Sequence, residues 1–315
     1  MKPVLFVTGL GASLERSENI HAIFDAYQGE KVFMSAGDMY FMNKVESGKY
    51  SLMVIDIFPV VTPGKAIMIW HAIQGGKYIG LDQKGTYYRE EYAQLMDRIV
   101  VAGRGGVDMF NRCTGVPKER IVNLGMPRTD RYFGEKRKKQ NPMLENMRKV
   151  YLFAPTFRGG GDVQAAEIDW RTMDDELEDG ELMLVKAHPY GRAFNISGCR
   201  HIAEADRMTP TAEFLFSADV VITDYSSIIF DGYLMGKPAV LFEKEPGYVK
   251  QRGMYLEYPG QYCSRYARDE KMVVRMAREA DGLTETEREC VDYVADMCDG
   301  HSCERICRLI EEMNT

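Results

Sequence analysis

Four short stretches of this chain place chemically versatile side chains at the ends of apolar runs. In the first, an apolar run from Val220 closes on Thr223 and Asp224, and a serine pair, Ser226 and Ser227, opens a helical stretch. Free N–H groups and the positive end of a helix dipole favour a phosphate at such a turn, and two hydroxyls add donors. Asp231 follows Ser227 by four residues, so on a helix it faces the same side one turn on. A carboxylate there could accept hydrogen bonds from the two hydroxyls of a ribose. The plainer reading is that Asp224 or Ser226 caps the helix. A cap alone leaves the serine pair and the facing acid unexplained, so a nucleotide site is expected.

The second stretch, Tyr151-Leu152-Phe153-Ala154-Pro155-Thr156-Phe157-Arg158, runs into three glycines. Thr156 and Arg158 offer a hydroxyl and a fork-shaped cation to phosphate oxygens, and the glycines allow a sharp turn. Third, Lys186-Ala187-His188-Pro189 closes another apolar run; a lysine and a histidine at a strand end before a proline point to a role on the same phosphates. Last, Trp70-His71 ends a run and leads into Gly75-Gly76. A histidine titrates near neutrality and suits general-base work, and the glycine pair keeps the loop slim. The bland alternative is a core histidine beside a tryptophan.

Parallel α/β elements would position all four. Strands are expected at 4–8, 31–34, 52–57, 66–70 and 98–102, with short helices at 19–27 and 90–96. A charged, polar segment at 134–149 breaks the pattern. Strands then resume at 150–154, 182–187, near 201–202, 220–223 and 239–242, with helices at 211–217 and 228–235 and two or three more over 269–313. The expected fold class is α/β with two Rossmann-like lobes facing a cleft, 1–140 and 141–315, the second carrying the helical tail. In open parallel sheets ligands bind beyond the carboxyl ends of strands, where the four stretches fall.

Composition narrows the class. At 315 residues, 45% apolar and 28% charged, the chain has a globular profile long enough for two cores. A net charge of −7 argues against nucleic acid as a partner. The apolar start, Met1 to Leu10, is too short for a signal peptide and reads as a strand, and no run is long enough to span a membrane. The seven scattered cysteines fit reduced thiols. Cys298, His301, Cys303 and Cys307 crowd together, yet lack paired zinc spacing, so structural thiols and no metal site are expected. A basic cluster, Arg128, Arg131, Lys136, Arg137, Lys138 and Lys139, suits either an anionic lipid surface or a solvated linker.

Taken together, these residues resemble the CDP-glycerol glycerophosphotransferase family, whose members build teichoic acids and related capsule polymers. The resemblance runs from about Trp70 to about Tyr258. Gly125-Met126-Pro127-Arg128-Thr129-Asp130 looks like the family's G-x-P-R-x-D turn, and the segment with Tyr248, Arg252 and Gly253 looks like one that follows a later family strand. The resemblance implies a GT-B-like fold, a CDP-glycerol or CDP-ribitol donor held by the C-terminal lobe, and transfer of polyol phosphate with release of CMP. It implies a lipid-linked glycan or polyol-phosphate acceptor reached from the cytoplasm, with peripheral contact at the inner membrane face. His71 would deprotonate the acceptor hydroxyl. His188 would stabilise charge on the donor pyrophosphate with Lys186, Thr156, Arg158, Ser226 and Ser227, while Thr223, Asp224, Asp231, Arg128 and Arg252 complete the expected substrate-binding set. No cofactor is required on this reading, a divalent cation being at most an accessory. The competing expectations are a GT-B glycosyltransferase or epimerase using a UDP-sugar, and a catalytically inert nucleotide- or polymer-binding homologue.

Overall fold

The structure, a computed structural model, describes residues 2–9, 14, 17–35, 37, 48–57, 62, 64–78, 93–134, 144, 146–156, 167–187, 194–206, 209–245 and 247–314. They form two compact units, Met1–Gly134 with Asp292–Thr315, and Glu135–Val291. In the first, β1 (Val4–Thr8), β2 (Lys31–Ser35), β3 (Leu52–Ile55), β4 (Lys65–Ile69), β5 (Arg98–Val101) and β6 (Ile121–Asn123) are parallel, in the order β2-β1-β3-β4-β5-β6. Every residue of β1 and β3 is buried, which is why these strands read as unbroken apolar runs rather than alternating ones.

Helix α1 (Glu18–Ala26) starts at Ser17, whose side chain accepts from the Ile20 N–H, and it sinks Ile20 and Ile23 into the core. Helix α2 (Arg104–Thr114) was not expected, because its Gly105-Gly106 pair weakens any helical signal. The packing explains the glycines. A Cβ on Gly105 would lie 2.5 Å from the Tyr293 ring, and one on Gly106 would lie 2.8 Å from Val101 Cβ. Of the helix expected at 90–96, residues 90–92 lie outside the described residues, and Ala93 and Gln94 are helical.

In the second unit the strands are β7 (Lys149–Phe153), β8 (Glu181–Val185), β9 (Ile202–Glu204), β10 (Val220–Thr223), β11 (Ala239–Phe242) and β12 (Tyr266–Ala267). They are also parallel, in the order β9-β8-β7-β10-β11-β12. Counted from the first strand of the unit this is 3-2-1-4-5-6, the doubly wound dinucleotide-binding order. Its helices are α3 (Trp170–Glu176), α4 (Thr211–Ser217), α5 (Ile228–Leu234), α6 (Gly247–Arg252) and α7 (Glu270–Glu279), while α8 (Glu285–Ala295) starts in it and ends in the first unit, which resumes at Asp292. Tyr151, Phe153, Trp170, Met183, Ile222 and Val274 share its core, with Phe153 and Trp170 edge to face at 5.4 Å.

One boundary differs from expectation. The tail was placed with the second lobe, but its last helix, α9 (Ser302–Met313), belongs to the first unit. The cause is a specific anchor. Asp130, the acid of the G-x-P-R-x-D turn, accepts from the Ser302 N–H at 3.0 Å and from the Cys303 N–H at 2.7 Å, satisfying two donors at the start of α9. Gly125 adopts φ +86°, and a Cβ there would meet the Met297 carbonyl at 2.2 Å. Arg305 of α9 donates back to the Leu124 carbonyl at 3.0 Å. Removing the cap in Asp130→Ala should lower the stability of the protein by about 2 kcal/mol, read as a lower denaturant midpoint with an unchanged m-value.

Candidate active site

The two parallel sheets each contain a point where the strand order reverses; candidate residues gather at the second, and His71 lies one strand from the first. In the first sheet the reversal lies between β1 and β3. The residue that follows β3, Asp56, is fully buried, and its carboxylate spans the gap. Oδ2 accepts from Thr8 Oγ1 at 2.9 Å and from Ser17 Oγ at 2.5 Å, while Oδ1 accepts from the Gly9 N–H at 2.8 Å. Burial pushes the carboxyl pKa up, against the pull of these hydrogen bonds.

The neighbouring strand, β4, delivers Trp70 and His71. The Trp70 ring lies 4.4 Å from the His71 ring and meets Phe110 edge to face at 5.6 Å. Burial lowers the imidazole pKa to about 4, opposed by a hydrogen bond to the Asp56 backbone and assisted by the positive charges of Arg128 and Lys77. The imidazole is therefore neutral at physiological pH. A backbone carbonyl that accepts one ring N–H leaves the other ring nitrogen as an acceptor. Nδ1 is buried and has no hydrogen-bond partner among the described residues. A neutral imidazole with a lone pair in reserve is what a general base requires.

The surrounding loops are tied to one another. Asn19, in the first turn of α1, donates from Nδ2 to the Trp70 carbonyl at 3.0 Å and accepts at Oδ1 from the Arg128 N–H at 3.1 Å. Arg128 is thereby brought to the histidine side of the unit, and its Nη1 donates to Tyr132 Oη at 3.2 Å. Gln74, 4% exposed, accepts at Oε1 from the Ala102 N–H at 3.1 Å and so fastens the glycine loop to the end of β5. Asp56, Ser17, Asn19 and Gln74 were not singled out from sequence. Asp56 had a usable signal, an acid closing an apolar run as Asp224 does; the others act through contacts distant in the chain.

In the second sheet the order reverses between β7 and β10. Thr156, beyond β7, donates its backbone N–H to Asp224 Oδ1 at 2.7 Å, and Thr223 Oγ1 donates to the Ala154 carbonyl at 2.7 Å. Asp224 thus joins the two strand ends and also accepts from the Tyr225 N–H at 2.5 Å. Neither serine forms a strong cap: Ser227 makes no side-chain bond to the helix, and Ser226 Oγ accepts from the Ile228 N–H only at 3.5 Å. The turn is held from outside by aromatic rings. Tyr225 stacks on Tyr248 at 4.4 Å and 17°, its hydroxyl donates to the Glu245 carbonyl at 2.7 Å, and Tyr258 Oη donates to the Asp224 carbonyl at 3.3 Å.

The structure therefore brings Thr156, Thr223, Asp224, Ser226 and Ser227 together at one reversal point. Asp231 follows one turn into α5 but is only 2% exposed, enclosed rather than at the surface of the turn. Lys186 lies beyond β8, 5% exposed; its ammonium donates to the Asp206 carbonyl at 2.8 Å and sits 5.4 Å from the centre of the Phe214 ring. Any phosphate would compete with that carbonyl. Arg252 is the last residue of α6. Arg158 and His188, with Lys136 to Lys139, lie outside the described residues. In the tail, Cys298 Sγ lies 3.7 Å from the Ala102 carbonyl and Cys303 Sγ 3.7 Å from the Pro127 carbonyl, each packed on a different loop.

Comparisons with known proteins identify the family and the fold. A family model described as CDP-glycerol:poly(glycerophosphate) glycerophosphotransferase matches residues 42–312. A teichoic acid poly(ribitol-phosphate) polymerase of Bacillus spizizenii is 27% identical over 291 residues, a match covering 81% of this chain and 45% of that protein. A teichoic acid glycerol-phosphate primase of Bacillus subtilis is 24% identical over 277 residues, covering 82% of this chain and 72% of the primase. The chain thus spans less than half the length of the first of these relatives. Among solved structures, that of the wall teichoic acid polymerase TagF superposes with a TM-score of 0.76 at 17% identity, covering 99% of this chain and 89% of that one, which makes the fold GT-B-like.

The depressed imidazole has a measurable consequence. By NMR, His71 should titrate near pH 4 instead of near 6.5. Between those values the unfolded chain binds a proton that the native protein does not. Stability should therefore fall as pH drops from about 6.5 to about 4. That component of the slope should be absent in His71→Gln.

Proposed function

The chain belongs to the CDP-glycerol:poly(glycerophosphate) glycerophosphotransferase family, and we propose that it transfers glycerol phosphate or ribitol phosphate from a CDP-activated donor to an acceptor hydroxyl, releasing CMP. The observation that carries this reading is the state of His71: neutral, with a buried Nδ1 unpaired among the described residues, and set at the carboxyl end of a parallel strand within the fields of two cations. His71 takes the proton of the acceptor hydroxyl as its oxygen attacks the donor phosphorus that bears the polyol. The bond from that phosphorus to the bridging pyrophosphate oxygen breaks, and CMP leaves. Such transfers depend on positioning and on stabilising charge at the non-bridging oxygens.

The second unit is the donor lobe on this reading. Thr156, Ser226 and Ser227 supply donors at the reversal point, where doubly wound sheets hold nucleotide phosphates, and Lys186, Arg158, His188 and Arg252 supply cationic or proton-donating groups. Thr223 and Asp224 hold the two strand ends in register for them, and a ribose contact by Asp231 requires that enclosed carboxylate to become accessible. The first unit, with His71 and Arg128, is the acceptor lobe. The chemistry needs no cofactor; a divalent cation would assist only by screening phosphate charge. Among the described residues no helix is long and apolar enough to cross a membrane. On this reading a lipid-linked glycan or polyol-phosphate acceptor is met by peripheral contact at the cytoplasmic face of the membrane, which the basic cluster from Arg128 to Lys139 would favour.

The test is CMP release from CDP-glycerol and CDP-ribitol, with and without a hydroxyl-bearing glycolipid acceptor. Acceptor-dependent CMP from one donor is expected, with kcat reduced on the order of 10²- to 10⁴-fold in His71→Ala. Silence across both donors, with UDP-sugars consumed instead, would overturn the reading. In Ser226→Ala and Ser227→Ala the donor KM should rise about tenfold for each lost hydrogen bond to a charged phosphate.

A further inference from the structure

The residues before and after His71 are both held by buried amide side chains. Asn19 donates from Nδ2 to the carbonyl of Trp70, the residue before the histidine, at 3.0 Å. Gln74 donates from Nε2 to the carbonyl of Ala72, the residue after it, at 2.9 Å. Each amide turns its oxygen to another segment of the same unit: Asn19 Oδ1 accepts from the Arg128 N–H at 3.1 Å, and Gln74 Oε1 from the Ala102 N–H at 3.1 Å. A side-chain amide carries a donor and an acceptor side by side without a charge. Neither an ionised acid nor an apolar residue of that size could serve both partners. The space beside Gln74 is kept open for it, since a Cβ on Gly106 would lie 2.9 Å from Oε1. Peptide units are planar, so with the 70–71 and 72–73 peptides both held, the intervening pair His71-Ala72 has little freedom to turn.

We propose that Asn19 and Gln74 are the positioning residues of His71, two buried amides that hold the carbonyls flanking it and so present the imidazole in one orientation. Amides that served only to fill gaps in the core would have no reason to meet the two carbonyls on either side of a single residue. The arrangement follows the general logic by which a base is oriented by a further group, moved here from the ring to the main chain that carries it. Asn19 also joins the histidine loop to Arg128, whose N–H it holds. It does so from α1, whose cap Ser17 is itself bound to Asp56 at 2.5 Å. The inference rests on the reading of His71 as the base, and its test separates the two.

Asn19→Leu and Gln74→Met keep the size of each side chain and add no charge, but remove both of its hydrogen bonds. An NMR titration reads the result without any turnover. The His71 imidazole, expected to titrate near pH 4 in the wild type, should move toward 6.5 in each variant as the loosened loop admits water. Asn19→Ala and Gln74→Ala, which leave room for water beside the orphaned groups, decide the matter if the larger replacements do not fold. In the CMP-release assay each single variant should lose about 10- to 100-fold in kcat with the donor KM held within about twofold. The double variant should lose less than the product of the two, because both amides act through one residue. A shifted titration with undiminished kcat would keep the amides as positioning residues and remove His71 from the role of base. A His71 that titrates as in the wild type in the single variants would overturn the proposal.

Discussion

Where the order of strands in a parallel sheet reverses, neighbouring strand ends send their chains to opposite sides and the ladder of backbone hydrogen bonds stops. Polar groups left there still need partners, since a buried unpaired donor costs about 1–3 kcal/mol. This chain meets that constraint twice in one way. In the first sheet Asp56 receives the Gly9 N–H and the Thr8 hydroxyl across the gap, and in the second Asp224 receives the Thr156 N–H. Each acid follows the last residue of a buried apolar strand, and each converts a place where two loops separate into one where their geometry is set. His71 lies one strand from the first joint, and the serine turn lies directly beside the second.

The electrostatics of the first site follow from competing effects. Desolvation is the largest influence on His71; it outweighs the favourable hydrogen bond to the Asp56 backbone, and the positive charges of Arg128 and Lys77 act in the same direction. An exposed histidine would be partly protonated near neutrality and a poorer base. The second site is built differently: half-buried serines on a short turn, stiffened behind by the stack of Tyr225 on Tyr248. A rigid turn with accessible hydroxyls suits a ligand that arrives and leaves each cycle.

The G-x-P-R-x-D segment unites structure and chemistry in six residues. Gly125 permits the close passage of the Met297 carbonyl, Arg128 is delivered toward His71, and Asp130 caps α9. Sequence resemblance pointed to Arg128 as a ligand and was silent on Asp130, whose partners lie more than 170 residues away. The placement of the tail failed for the same reason. An amphipathic helix shows which of its faces is apolar, and carries no mark of the sheet that will cover that face.

The sequence by itself determined the alternation of strands and helices, two parallel sheets, and the strand ends at which Trp70-His71, Thr156, Lys186 and Asp224-Ser226-Ser227 sit. These follow from local causes: unbroken apolar runs demand burial on both faces, and the residues just beyond them must be polar. It could not display α2, whose glycines are explained only by Tyr293 and Val101, nor the two-residue strand β12. The tertiary structure alone decided that Lys186 would face the Asp206 carbonyl, that Asp231 would be enclosed, and that Asp56 would join Thr8, Gly9 and Ser17. Those outcomes depend on which distant atoms come within about 3 Å, the range in which hydrogen bonds form. Spacing along a chain carries that information only inside a single helix or turn.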